Sequence, residues 1–466
     1  MLDTVLVWIS KNEKRWLADL KSWLAIPSVS AQAEHDGDTQ AAAAWAAERC
    51  AGLGMNVQVI PTPRHPCVLA STPDALCPPD APHVLLYGHY DVQPPEPLEL
   101  WKSPPFGGEV RDGKLFARGA CDDKGQVHCH LAALTAWKEI DQKFPCRVSI
   151  LLEGEEEIGS PNLMAVVRTH AAELRTAKTL LISDSCQFAP GVPAITVGLR
   201  GLVYFQITVN GAQSDLHSGM YGGAVANAAN VLVEVLAKLH DPHGRITIPG
   251  FYEEVLAVSD EETRMWETLP FSEKDYLARL GLQATFGEAG YSTLARQWAR
   301  PTLEINGLTS GYQGAGAKTV LPCLASAKVS CRLVPNQNPQ KIAAAFKTHV
   351  SQLLHEAFGN AATIKVEELG TGSPAALTPT DSPAIRAAAR AMEVGLGKAP
   401  VFTREGGSIP VVNWFKESLG LDTIMVGFGL PDDGFHAPNE KLDLVNYYAG
   451  IRTAAALYSE LAKGLS

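Results

Sequence analysis

RVSILLEGEEEIGS, residues 147–160, joins an uninterrupted apolar run to a group of adjacent carboxylates. A short apolar run without polar alternation suits a strand buried on both faces, and such strands belong to parallel sheets covered by helices. The stretch therefore sets Glu156 and Glu157 at the mouth of a sheet. Carboxylates crowded there repel one another unless a cation or a shared proton relieves them. A bound metal is the simplest relief. A solvated acidic loop after a strand is the competing reading, and for a Glu triplet taken alone it is the commoner one.

The flanking sequence repeats the pattern. HVLLYGHYDV (83–92) and TLLISD (179–184) are further apolar runs that end in His or acidic residues, and QVHCHLAALTAWKEI (126–140) is a helix candidate between strands. This alternation predicts an α/β layer sandwich whose functional groups gather at the carboxyl ends of the strands. After GLRG (198–201) the pattern changes to strand 202–211, helix 224–240, strand 328–335, helix 340–358 and strand 363–370, which reads as an inserted α+β domain. The Thr/Pro-rich segment 370–383 is a return linker. The expected organisation is a catalytic domain in two parts, 1–199 and 373–466, with the insertion at 200–372. Residues 241–300 fit no strand of that sheet and read as helical embellishment.

A chain of 466 residues exceeds one core, so an active site between domains is plausible. A formal charge of -11 and a pI near 5.7 argue against a general binder of nucleic acid or anionic membrane, which leaves a small-molecule partner. No stretch of about 18 apolar residues predicts a membrane span. The N-terminal segment 1–20 reads as one amphipathic helix without the features of a secretory signal. Nine cysteines without a CxxC pair suggest no disulfide framework and a reducing, cytoplasmic setting.

Candidate metal ligands appear at the strand ends. His89 can bind a metal through one ring nitrogen while Asp91 orients the other, although a structural His is the commoner meaning of such a pair. Asp122, in FARGACDDKG, can bridge two ions through its two oxygens or form a plain Asx turn; Asp123 and Lys124 read as a surface pair. Asp184 ends TLLISD, and His436 lies among turn residues in PDDGFHAPNEK. With Glu157 these make a mixed nitrogen and oxygen set suited to zinc, and less selectively to manganese or cobalt. Sharing Asp122 divides the rest into two pairs, as a two-metal hydrolytic site requires, and leaves Glu156 free to take a proton from water.

The motifs GHYDVQP, FARGACDDKG, EGEEEIGS, LLISD, DLHSGMYGG, GAKTVLP, RLVPNQ, REGGSIP and DDGFHAPNEK occur in the order seen in a family of co-catalytic zinc peptidases. The chain resembles that family, which includes carboxypeptidase G, aminoacylase and succinyl-diaminopimelate desuccinylase, over nearly its whole length. It is most similar to the carnosine and cytosolic nonspecific dipeptidase branch. The resemblance implies two divalent ions per subunit: Asp122 bridging, His89 and Asp184 on one ion, Glu157 and His436 on the other. It makes Glu156 the general base and Asp91 the orienter of His89. It also implies a ferredoxin-like lid that mediates homodimerisation, and the hydrolysis of dipeptides. A deacylase or desuccinylase of N-acyl amino acids is the rival activity, and a non-catalytic scaffold a more distant one.

The resemblance extends to the insertion. His217, in SDLHSG, resembles a histidine that reaches the partner subunit's active site and donates to the oxyanion; a capping His is the alternative. Thr319 matches a second cross-subunit contact, with a turn hydroxyl as the alternative. Arg332, on a strand, can pair bidentately with a substrate carboxylate or form a structural ion pair. In REGGSIP, Glu405 can meet a polar group of the substrate, and the amides around Gly406, Gly407 and Ser408 can cradle a carboxylate or form a plain turn. Cys121 stands where dipeptidase relatives commonly carry Ser or Thr; it can make the site sensitive to oxidation or to thiol-binding metals, although a buried inert thiol is the commoner meaning.

Overall fold

The computed structural model describes residues 1–407 and 409–465. The chain forms two compact units, Met1–Val197 with Thr378–Thr403 and Trp414 onward in the first, and Gly198–Leu377 with Arg404–Asn413 in the second. The return of Arg404–Asn413 to the second unit has no counterpart in the sequence reading.

The first unit is built on strands β1 (Asn56–Ile60), β2 (Cys67–Ser71), β3 (His83–His89), β4 (Arg147–Glu153), β5 (Thr179–Ile182) and β6 (Ala194–Leu199), with Thr423–Val426 inserted late. Their order is β1, β2, β4, β3, β5, Thr423–Val426, β6. The centre is parallel, β3 pairing with β4 and β5, and β5 with Thr423–Val426. Every residue of β3 is buried. Helices α1 (Leu2–Lys11), α2 (Glu13–Leu24), α3 (Asp36–Gly52) and α4 (Lys124–Asp141), with Pro383–Leu396 and Leu444–Gly464, supply the rest of a core that joins Leu86 and Ile150 to Trp137 and Leu457. Gly88 permits the close approach of α4, because a Cβ there would stand 2.4 Å from Val127 Cγ2. The register sets His89 opposite Glu153, so the ends of β3 and β4 finish level.

The N-terminal segment forms two helices rather than one. Asn12 Nδ2 donates to the Trp8 carbonyl at 2.8 Å, so its side chain takes the carbonyl that the continuing backbone would use.

The second unit holds β7 (Gly201–Asn210), β8 (Thr302–Ser310), β9 (Leu324–Leu333) and β10 (Thr363–Glu368), in the order β8, β9, β7, β10 and antiparallel throughout. With α5 (Ala228–Ala237) and α6 (Pro339–Phe358) the chain order is βαββαβ, which is ferredoxin-like. Val203, Phe205, Ile207 and Val209 alternate to one face of β7, where Phe205 stacks on Phe346 with ring centroids 4.0 Å apart. Within 241–300 lie helices Asp260–Glu267, Glu273–Leu280 and Thr293–Trp298, each capped by a serine, Ser259, Ser272 or Ser292. Among the described residues no helix is long and apolar enough to cross a membrane.

Candidate active site

Five side chains of the first unit converge from separate elements. His89 ends β3, Asp122 precedes α4, Glu157 lies in the turn after β4, Asp184 follows β5, and His436 comes from the loop before Lys441–Asp443. They form two groups that share Asp122: His89, Asp122 and Asp184, and Asp122, Glu157 and His436. Asp122 Oδ1 is 3.1 Å from His89 Nε2, and Oδ2 is 3.0 Å from His436 Nε2. His89 Nε2 lies 3.8 Å from Asp184 Oδ2, and His436 Nε2 lies 3.3 Å from Glu157 Oε2. Each oxygen of Asp122 thus serves a different group.

The arrangement fits two divalent cations. His89 Nε2 is buried and makes no hydrogen bond, because the approach of Asp122 Oδ1 lacks hydrogen-bond geometry. An orphaned buried nitrogen ringed by carboxylate oxygens is a ligand atom in want of a metal. The charge balance agrees. Burial and then the Asp122 charge push the Asp184 carboxyl well above its usual range, while hydrogen bonds to Asp122 and Glu157 push His436 up to about 10. Cations would relieve the repulsion among these carboxylates.

Glu156 belongs to neither group. Burial, opposed by His89, pushes its carboxyl up to about 7. Asp91 serves His89 through its main chain, with His89 Nδ1 3.1 Å from the Asp91 carbonyl and 3.5 Å from Oδ1. Its carboxylate instead accepts the amides of Glu156 at 3.2 Å and Glu157 at 3.1 Å, which fixes the turn that presents both glutamates. Glu155 anchors the same turn, accepting from Thr62 Oγ1 at 2.7 Å, from the His65 amide at 2.9 Å and from Asn162.

Two features depart from or were missed by the sequence reading. Asp123 and Lys124 are not a surface pair: both are buried, and Lys124 Nζ donates to the carbonyls of Trp23 and Ile26 at 3.2 and 2.8 Å. The end of α2 provides an internal socket that local sequence could not reveal. One missed residue is Glu440. Fully buried, it accepts the amides of Gly119, Cys121 and Asp122 at 3.0, 2.9 and 3.1 Å, and Arg118 Nη1 at 2.8 Å. It thereby holds the loop that presents Asp122.

The second unit carries the remaining candidates. His217 lies on a short antiparallel pair with Val320–Leu321, and Thr319 immediately precedes that pair, its carbonyl accepting the Ser218 amide at 3.0 Å. His217 is exposed, and its Nδ1 accepts the Gly219 amide at 3.0 Å. Arg332 lines a cavity of about 490 Å³ with Arg200, His240, Arg296 and Arg300. Arg200, unremarked in the sequence, has its guanidinium pulled down to about 10 by burial and then by Arg332, and its Nε donates to the Gly406 carbonyl at 3.1 Å. Glu405 ends strand Val401–Glu405, and its carbonyl accepts the Arg200 amide at 3.2 Å. Gly407 has open space where a Cβ would project, and Ser408 lies outside the described residues.

Residues 85–460 match peptidase family M20/M25/M40, and the chain belongs to that family. It is 33% identical to the Cys-Gly metallodipeptidase dug1 of Schizosaccharomyces pombe, over 99% of this chain and 98% of that protein. It is 30% identical to the Beta-Ala-His dipeptidase of Homo sapiens, over 99% of this chain and 93% of that protein. The solved structure of the dipeptidase Dug1p from Saccharomyces cerevisiae superposes with a TM-score of 0.80 at 28% identity, covering 100% of this chain and 99% of that one.

Proposed function

We infer that this chain is a metal-dependent dipeptidase, and the observation that carries the reading is the division of the two Asp122 oxygens between two metal-binding groups. Relatives named as dipeptidases over nearly the full length support the substrate class. His89, Asp122 and Asp184 would hold one cation, and Asp122, Glu157 and His436 the other. Zinc is the proposed ion, since two imidazoles with carboxylates suit it, manganese and cobalt being less selective fits.

Cations bound there supply Lewis acidity at the scissile carbonyl and a more acidic water. Glu156 takes the proton of the attacking water and returns it to the leaving amine; its burial favours the protonated form and so supports that role. Asp91 holds the turn so that Glu156 keeps its aim while Glu157 remains a ligand. Arg332 is proposed to pair with the substrate carboxylate, and Glu405, Gly407 and Ser408 to line its seat. His217, assisted by Thr319, is proposed to donate to the oxyanion in the partner subunit's site of a homodimer. Ile305 and Leu308, exposed on edge strand β8, support a partner at this unit. Nine cysteines without a CxxC pair support a reducing, cytoplasmic setting.

The test is turnover of a substrate panel by protein reconstituted with zinc, manganese or cobalt. Dipeptides, β-alanyl dipeptides, N-acetyl and N-succinyl amino acids are offered with and without a chelator. Metal-dependent cleavage of dipeptides is expected; cleavage confined to the acyl substrates overturns the reading.

A further inference from the structure

Residues 241–300, which add no strand to the sheet of the second unit, close a charged cavity against it. The register of β7, β9 and β8 pairs Leu202 with Arg332 and Arg332 with Thr302. Paired residues share a face, so Arg332 stands on the face opposite Val203 and Phe205, away from the helices. There it lines the cavity of about 490 Å³, in which Arg200, Arg296, Arg300 and Arg332 meet two carboxylates, Glu288 and Glu304. Four guanidiniums against two carboxylates leave an excess of two positive charges, in a chain whose formal charge is -11. His240, its pKa lowered by burial, adds no charge near neutrality. Glu288 is already engaged: Arg300 grips both its oxygens at 2.6 and 2.7 Å, and Arg245 reaches it at 3.3 Å. Burial first and then Arg332 pull the Arg200 guanidinium down to about 10 despite Glu304, so cations crowd one another here. Arg296, on the serine-capped helix Thr293–Trp298, directs its guanidinium to neutral oxygens, the Glu288 carbonyl at 2.9 Å and Thr285 Oγ1 at 3.3 Å. Among the described residues it pairs with no carboxylate. Two such forks on one cavity fit an anion with two negative centres.

We propose that this cavity is a specificity subsite for a dicarboxylate, so that the preferred dipeptides carry an acidic C-terminal residue, with Arg332 on the α-carboxylate and Arg296 on the side-chain carboxylate. The cavity volume lies in the range of about 300 to 1,000 Å³ usual for small-molecule sites. Bidentate N–H···O pairs hold a carboxylate in the plane of a guanidinium. An amide in place of the second carboxylate offers one acceptor oxygen and two donors, which leaves half of the Arg296 fork unmatched. A neutral side chain also leaves the excess charge of the cavity uncompensated, which discriminates against it. Through Arg296 the 241–300 insertion gains a part in substrate choice. The subsite rests on the dipeptidase reading and on Arg332 as the seat of the substrate carboxylate, whereas the affinity of the cavity for a dicarboxylate does not.

The experiment measures kcat/KM of metal-loaded protein on alanyl-glutamate, alanyl-glutamine and alanyl-leucine and, by calorimetry, the binding of glutarate, butyrate and inorganic phosphate. Alanyl-glutamate should exceed both other dipeptides at least roughly tenfold, the size of about one charge-assisted pair, with the difference in KM. Arg296→Gln should erase most of that ratio and Arg296→Lys recover part of it. Glutarate should bind the native protein at least roughly tenfold tighter than butyrate, and Arg296→Gln should remove the difference. The proposal is overturned by equal kcat/KM on alanyl-glutamate and alanyl-glutamine in the native protein, by Arg296→Gln and Arg296→Lys lowering both substrates alike, or by phosphate binding tighter than glutarate. If no dipeptide is cleaved while glutarate binds through Arg296, the dipeptidase reading falls and the dicarboxylate site stands. Dipeptide cleavage without preference for glutamate overturns the subsite and leaves that reading intact.

Discussion

Glu156 and Glu157 are chemically identical neighbours whose surroundings separate them. Glu157 meets His436 at 3.3 Å and its partner group at Asp122, while Glu156 stands apart, its carboxyl raised mainly by burial. Glu156→Gln should lower kcat by about 10² to 10⁴ with bound-metal stoichiometry unchanged, as removal of a general base does. Near-normal turnover, or loss of the metal measured by plasma emission, would sink that assignment. Glu440 acts at one remove, through the amide of Asp122. Glu440→Gln should weaken metal binding by roughly 10- to 100-fold in calorimetry, with Glu440→Asp recovering part of it. A purely structural residue would lower Tm in both variants and leave affinity alone. His89, Glu157 and Asp184 were legible because they end or closely follow apolar runs, while Asp122 and His436, in loop segments, drew their roles from the ordered motifs. Glu440 was not, because its partners lie some 320 positions away along the chain, and Arg200 went unremarked because only the fold brings it to Gly406.

At the scale of elements, β3 carries both the core and a titrating group. His83 opens the strand, its Nδ1 2.6 Å from Thr176 Oγ1 and its Nε2 2.9 Å from Ser149 Oγ. Burial, then Arg147, lowers its pKa to about 4. The unfolded chain protonates this imidazole near 6.5 while the folded chain resists until about 4, so below 6.5 the unfolded state binds more protons. Stability therefore falls as pH drops through that window, and His83 accounts for up to about 3 kcal/mol of the fall. Urea titrations at several pH values should show a shallower acid slope in His83→Asn; an unchanged slope would refute it. Buried strands such as β3 could be read directly, because full burial imposes an apolar run. The break at Asn12 could not, because one side-chain hydrogen bond to Trp8 decides it. In 241–300 the serine caps were readable in principle, Ser259 and Glu262 forming a capping box, but the apolar periodicity between them is too short to announce helices.

At the scale of the whole molecule, the second unit offers an exposed His217 whose Nδ1 already accepts the Gly219 amide, leaving Nε2 as the nitrogen that can carry a proton outward. A neutral imidazole fixed in that tautomer is a hydrogen-bond donor, which is what stabilising an oxyanion demands. If the donor crosses a two-fold interface, each site takes Glu156 from one subunit and His217 from the other. His217→Ala and Glu156→Gln homodimers should then both be nearly inactive. In a mixed dimer, the site with native Glu156 receives native His217 from the Glu156→Gln subunit, while the opposite site lacks both. Unfolding and refolding the two variants together in equal amounts should restore roughly a quarter of wild-type turnover, from half the dimers being mixed and half of their sites complete. Light scattering on the same sample checks that the species is a dimer. Failure of the mixture to exceed the two parents, with dimers present, would return His217 to its own subunit and leave it a capping residue.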